Sequence, residues 1–195
     1  MRLKLVQVGE EVLRQRAREL TADEIRTREI AELIGMMRET LRDAPGVGLA
    51  APQVGVGFQL AIIEDLPEYS KAMTAEQIAE RERTPVPFHV IVNPKLTPVG
   101  DDKVEFFEGC LSVNGYTGLV SRYRRVRVEC LDENAKPRTI EATGWYARIL
   151  QHEIDHLNGT VYVDRVATRS FMTIENFTRK WKDVAVADLK HRLLI

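Results

Sequence analysis

Cysteine is scarce in this chain: 195 residues contain two, Cys110 and Cys130. Two thiols make no disulfide framework, and such sparing use suits a reducing compartment. Long apolar runs are also missing. No stretch approaches the ~18 apolar residues of a membrane span, so no membrane partner is expected. The opening MRLKLVQVGEEVLRQRAREL lacks the apolar centre of a secretory signal and carries several acidic residues, unlike an organelle transit peptide. The expected location is cytoplasmic, or an organellar matrix if a transit peptide has been removed ahead of position 1. An excess of one charge is absent: 28 Lys and Arg face 29 Asp and Glu. No global field then draws the chain to nucleic acid or to a lipid surface, and no specific nucleic-acid partner is expected. Repeats and low-complexity linkers are lacking too. With 44% apolar and 29% charged residues, residues 1–195 are expected to form one domain with a real core.

Histidine is the other rare residue, and its placement is informative. Two of the four histidines fall in Gln151-His152-Glu153-Ile154-Asp155-His156. On a helix the i, i+4 spacing stacks both imidazoles on one face, one turn apart, where they can hold one metal ion. Glu153 is rotated slightly off that face and can reach a water at the ion without being a ligand. That pattern points to hydrolysis. A surface helix that happens to carry His and Glu is the bland alternative. At about 100° per residue, Trp145, Arg148, Ile149, His152 and His156 share one side, while Leu150, Ile154 and Leu157 form a second apolar stripe. A helix apolar on two sides is a buried one, and Gly159 suits its C-terminal cap. Trp145 and Arg148, two turns and one turn before His152, face either a substrate cleft or, respectively, core and solvent.

The rest of the chain predicts short strands and flanking helices. Thr21-Ala22-Asp23-Glu24 reads as a capping box opening a helix, continued by Ile30, Leu33, Ile34, Met37 and Leu41 up to Pro45. The Gly- and Pro-punctuated but apolar segment 44–55 is expected to pack as a loop. Strands are expected at 58–63, at 88–92 with Asn93-Pro94 as a stop, at 95–99 and at 104–107. Residues 65–87 read as a surface loop with a helical turn near 75–83. Val126, Val128 and Cys130 alternate with charged residues as in a half-buried strand, paired through the turn 132–137 to a strand at 138–143. A short strand at 161–163 and a final amphipathic helix carrying Phe177, Trp181 and Val184 complete the reading. The fold class is α+β: antiparallel short strands around a central metal-binding helix, with an N-terminal and a C-terminal helix.

A catalytic site of this kind takes three protein ligands and leaves one position open. Beyond His152 and His156 the spacing offers two candidates. Cys110 sits in Glu108-Gly109-Cys110-Leu111-Ser112 and would supply a thiolate. Glu175 lies where a metallopeptidase of the H-E-x-x-H type would place its downstream carboxylate. Spacing does not separate them.

Three segments together resemble the peptide deformylase family: GVGLAAPQ at 46–53, EGCLS at 108–112 and QHEIDH at 151–156. The likeness extends from about the first helix to about Phe171, and its texture is closest to the organellar-type branch. The resemblance implies that Cys110, His152 and His156 bind one divalent metal, Fe(II) in the cell, with Zn(II), Ni(II) or Co(II) accepted. It implies Glu153 as the acid/base, with the Gln53 amide and the Leu111 N–H meeting the substrate oxygen. Val47, Gly48 and Gly109 would frame the substrate backbone, and Trp145 and Arg148 stand where the family often carries aliphatic pocket residues. Asp155 would pair with Arg122. The implied reaction removes the formyl group from N-formylmethionyl nascent peptides, a step of N-terminal methionine processing in protein biosynthesis. Monomer and homodimer both suit it. Arg179-Lys180-Trp181-Lys182 is either a transient ribosome contact or a solvated helix face.

Overall fold

The computed structural model describes residues 2–195. Its framework is a five-stranded antiparallel sheet in the order β1-β2-β3-β6-β7. The strands are β1 (Gly48–Ala50), β2 (Leu60–Asp65), β3 (Val86–Pro98), β6 (Arg125–Leu131) and β7 (Pro137–Thr143). A three-stranded sheet joins β4 (Lys103–Cys110), β5 (Val113–Tyr123) and the short β8 (Met172–Thr173).

The alternation of strand side chains decides what covers the large sheet. Ala61 and Ile63 of β2 point to one face, with Ile91, Val126 and Val128, where they meet Ala147, Leu150, Ile154 and Leu157 of helix α4 (Gly144–Leu157). Leu60 and Ile62 point to the other, with Val90 and Val92, against Ile30, Leu33, Met37 and Leu41 of α2 (Arg28–Asp43). Every residue of β2 is buried, which is why it reads as a continuous apolar run rather than an alternating one.

Mixed helix and antiparallel sheet agrees with the expected class, but several elements differ. The capping box at Thr21 is present, yet it opens only α1 (Ala22–Ile25); Thr27 then caps α2 separately through its Oγ1 and the Ile30 N–H. Asn93-Pro94 does not stop a strand. β3 runs through it, with a register shift between Val92 and Lys95 and Asn93 at φ +50°. β4 and β5 form the longest ladder beside the site, and β5 carries too little alternation to be seen in the sequence. Residues 162–164 form a 3-10 turn, not a strand, because the Asp164 carboxylate accepts the Val161 N–H and closes the turn. The expected C-terminal helix is two: α5 (Ile174–Lys180) and α6 (Val186–Leu193). Trp181 caps the first and Val184 lies between them, while Arg179, Lys180 and Lys182 are exposed. Residues 67–70 and α3 (Ala75–Glu80) give the 65–87 segment more helix than the single turn expected. No helix among the described residues is long and apolar enough to cross a membrane.

Asn93 illustrates how a bulge is held. Its Oδ1 accepts the Leu20 N–H at 3.0 Å, its Nδ2 donates to the Leu20 carbonyl at 2.7 Å, and its own N–H donates to the Gln59 carbonyl. Asn93→Ala leaves the main chain of buried Leu20 unpaired and places alanine at positive φ. A loss of about 2 kcal/mol in unfolding free energy is expected, with the denaturant m value unchanged; urea titration measures both.

Candidate metal centre

α4 is a rod clamped at both ends. Its first two N–H groups have no side-chain cap. Instead, the Gly144 N–H donates to the Arg124 carbonyl and the Trp145 N–H to the Arg81 carbonyl, which satisfies orphan donors of the first turn. At the other end Gly159 sits at φ +74°, its N–H on the His156 carbonyl and the Thr160 N–H on that of Asp155. This is a Schellman closure, as the sequence position of Gly159 led us to expect.

The fixed rod carries His152, Glu153 and His156 past the end of β4, where Cys110 lies at a break in the β4–β5 register. One ligand atom each from Cys110, His152 and His156 fall within 4.8 Å of one another. The His156 Nε2 is 3.2 Å from the Cys110 Sγ. Glu175, the other candidate third ligand, is exposed on α5 and outside this group. The thiolate alternative, not the downstream carboxylate, is the one brought to the histidines.

Glu108 is the residue that the sequence reading left without a role. It lies two positions before Cys110, so both side chains leave β4 on the same face. Its Oε2 accepts from His152 Nδ1 at 3.0 Å and from Arg122 Nη2 at 3.0 Å; its Oε1 accepts from Arg122 Nε at 3.0 Å and Arg148 Nη1 at 2.6 Å. Burial alone would raise its pKa, but the hydrogen bonds and charges of His152 and Arg122 outweigh that and hold the carboxyl well below its usual range. A carboxylate only accepts, so the His152 proton sits on Nδ1 and Nε2 is left as the donor atom for a cation. Arg122 also forms a close ion pair with Asp155, to which Arg165 adds two bonds at 2.6 and 2.8 Å. The expected Asp155–Arg122 contact is therefore present, and it is one edge of a larger network.

Arg148 is 2% exposed, which removes the alternative that it reaches solvent. Besides Glu108 it donates to the carbonyls of Val120 and Val104 at 3.0 and 2.6 Å. Trp145 is half-buried and edge-on to Phe106, with the Arg83 guanidinium 5.5 Å from its ring centre.

A cleft of about 840 Å³ opens onto the group. Val47, Gly48, Gln53, Gly109, Leu111, Trp145, Arg148 and Glu153 all line it. Gly48 is demanded by contact: a Cβ there would stand 2.3 Å from the Glu153 Oε1. Gln53 is 1% exposed, its Oε1 held by the Ala50 N–H at 2.9 Å, which turns its Nε2 toward the Cys110 Sγ at 3.4 Å. Burial, reinforced by the Glu108 charge, pushes the Glu153 carboxyl up to about 7 against the opposing pull of His152 and Arg122.

These residues fit a divalent cation. Burial keeps His156 well below its ordinary pKa, hence neutral and able to ligate. Burial acts the same way on His152, yet its bonds to Cys110 and Glu108 prevail and raise its proton affinity well above normal. A site that pulls a proton onto a buried imidazole is one that calls for positive charge. The Glu153 Oε2 is buried without a hydrogen-bond partner in the protein and is open to a water at the site.

The sequence profile of the polypeptide deformylase family matches residues 2–171. The chain belongs to that family. It is 46% identical over 180 residues to peptide deformylase 3 of Streptomyces avermitilis, covering 92% of this chain and 78% of that protein. It is 44% identical over 172 residues to peptide deformylase 1A, chloroplastic, of Solanum lycopersicum. That match takes in 88% of this chain but 62% of the plant protein, so this chain spans less than two thirds of its length. Among solved structures, the class I type b peptide deformylase of Acinetobacter baumannii with Met-Ala-Ser bound superposes with a TM-score of 0.76 at 30% identity, covering 85% of this chain and 99% of that one. Mixed helix and antiparallel sheet is thus the deformylase fold.

Glu108→Gln keeps the shape of the keystone and removes its charge. Metal affinity is expected to fall roughly 10–100-fold, read by competition with a chromophoric chelator; unchanged affinity would show that Glu108 does not orient His152.

Proposed function

We propose that the chain is a metal-dependent peptide deformylase, hydrolysing the formamide of N-formylmethionyl nascent peptides to formate and a free amine. The observation that carries this reading is the convergence of Cys110, His152 and His156 beside a buried Glu153 at the end of a peptide-sized cleft. Cys110, His152 and His156 would hold one divalent ion, with Fe(II) as the working metal and Zn(II), Ni(II) or Co(II) as substitutes for the same thiolate–imidazole set. When bound, such an ion would supply Lewis acidity for a carbonyl and for water at the site.

Glu153 takes the proton of the attacking water. A carboxyl pushed up to about 7 is suited to accept a proton and to give it back near neutral pH. Water oxygen bonds to the formyl carbon as its C=O bond opens. The developing oxyanion is met by the Gln53 Nε2–H and the Leu111 N–H. Gln53 is set for this because its carbonyl end is already engaged by Ala50. Glu153 then delivers the proton to the methionine nitrogen, the C–N bond breaks, and formate and the peptide amine leave. Val47, Gly48 and Gly109 line the cleft, and a peptide main chain would lie against them. Trp145 would close the methionine pocket. Arg148, with Nη1 and Nη2 committed to Glu108 and two carbonyls, would act by holding that wall and Glu108 rather than by binding substrate charge.

The same reading takes residues 1–195 as one catalytic domain that acts on peptides as they are made. The exposed Arg179, Lys180 and Lys182 suit a transient contact with the ribosome.

Anaerobic formate release from formyl-Met-Ala-Ser by Fe(II)-loaded protein tests the function. Glu153→Gln should retain one metal per chain and lose at least about 10²-fold in kcat. Cys110→Ala should lose metal, and Glu175→Ala should lose neither metal nor turnover. A fully active Glu153→Gln protein would remove the role given to Glu153.

A further inference from the structure

Residues 3–7 run beside the cleft with no helix or strand of their own, and Leu3, Leu5 and Gln7 line it. Three consecutive residues bond both arms that converge on Cys110. The Val6 N–H donates to the Gln53 carbonyl at 2.9 Å, and the Val8 N–H to the Ser112 carbonyl at 2.9 Å. Between them the Gln7 side chain spans the Cys110–Asn114 turn: its Nε2 donates to the Leu111 carbonyl at 3.0 Å, and its Oε1 accepts the Asn114 N–H at 3.2 Å. The β4–β5 register breaks here: Cys110 pairs with Val113 and Gly109 with Thr117, so Asn114, Gly115 and Tyr116 have no partner on β4. The Gln7 carboxamide, one donor end and one acceptor end, does what a neighbouring strand would do.

We propose that Gln7 is a positioning residue that locks the Cys110–Leu111–Ser112 turn against the Gln53 arm, fixing the separation of the two donors that meet the substrate oxygen. The proposal rests on the deformylase reading. Gln7 touches neither the metal ligands' donor atoms nor the place of the reacting carbon; it acts through main chain. Because it is exposed, its loss leaves the core intact. What changes is the freedom of a turn whose Leu111 N–H must stand at a set place when negative charge develops, and donors of that kind lose their effect with small displacements. Glutamate at this position would keep the acceptor for Asn114 but oppose the Leu111 carbonyl. Asparagine is one methylene too short to reach both.

The test compares metal-loaded wild type, Gln7→Ala, Gln7→Glu and the exposed neighbour Lys4→Ala. Formate release gives kcat and KM, and amide hydrogen exchange at Leu111 and Ser112 gives a readout independent of turnover. We expect kcat to fall roughly 10-fold in both Gln7 variants with KM within about twofold, faster exchange at Leu111 and Ser112, and unchanged metal content and melting temperature. Lys4→Ala should match wild type throughout. The proposal is overturned if Gln7→Ala keeps kcat within about twofold of wild type, if exchange in the turn is unaltered, or if its kcat falls only in step with metal content or melting temperature. Should wild type itself release no formate, the deformylase reading fails, and the exchange data still decide whether Gln7 holds the turn.

Discussion

One buried carboxylate organises this molecule. Glu108 is 6% exposed and accepts four hydrogen bonds from three residues on two elements, β5 and α4. An ionised carboxyl in such a place is tolerable only if every lone pair is met. Arg122 and Arg148 bring the charge, and His152 brings an Nδ1–H whose ring then turns its other nitrogen toward Cys110 and His156. Ligand geometry is thus a by-product of satisfying a buried charge. The same requirement ties α4 to the small sheet at two heights, through Arg148 near its start and through Asp155 and Arg122 near its end. The helix can neither rotate nor slide without breaking an ion pair in the interior, where loss of one partner costs about 3–5 kcal/mol.

Charge balance around the cleft follows from this network. Arg122, Arg148 and Arg165 are matched by Glu108, Asp155 and a Cys110 ligating as thiolate. A divalent ion would then leave the neighbourhood two charges positive, with ionised Glu153 the nearest compensation. Burial raises the Glu153 pKa, and a cation beside it acts in the opposite direction. A cation beside the cleft would therefore favour the ionised, proton-accepting form of a carboxyl that burial has pushed up to about 7. Gly48 sets the distance at which that balance operates, because any side chain there would occupy the space of the Glu153 carboxyl.

How much of this the sequence disclosed depends on the range of the interaction concerned. The paired histidines, the adjacent glutamate and the C-terminal Gly159 are local, i to i+4 relations, and were readable directly. Cys110 against Glu175 was not decidable from spacing, since both answers are long-range; the fold brings Cys110, and not Glu175, beside the two histidines. Glu108 went without a role although it stands in the quoted motif. A strand's alternation puts it on the same face as Cys110, and that was a usable signal. Its partners on β5 and α4 were not visible, because β5 itself was missed: Asn114, Gly115 and Tyr116 leave that strand exposed and polar at its start. The reading of Asn93-Pro94 as a stop failed for a tertiary reason, the two bonds from Asn93 to Leu20, 73 residues away. The single C-terminal helix failed because apolar spacing does not report where a helix ends when the cap is an ordinary residue such as Trp181.

The segment between β2 and β3 is the part whose meaning changes most once the fold is seen. As sequence it is a charged surface loop. In three dimensions the Arg81 carbonyl accepts the Trp145 N–H, and a Cβ on Gly144, at φ +58°, would lie 2.6 Å from that same carbonyl. Arg83 is fastened to buried Asp65 by bonds of 2.9 and 2.8 Å and lies over Trp145. The segment therefore completes the N-terminus of the helix that carries His152 and His156, and it presses on the aromatic wall of the cleft. A loop free to vary in length without cost would make none of these contacts. Its sequence is constrained where main chain and guanidinium touch α4, and where the Glu82 carboxylate accepts from Arg124 and from the Thr143 hydroxyl. Changes in it would reach the site through the start of α4 and the tilt of Trp145, and not through Cys110, whose place is fixed independently by the small sheet.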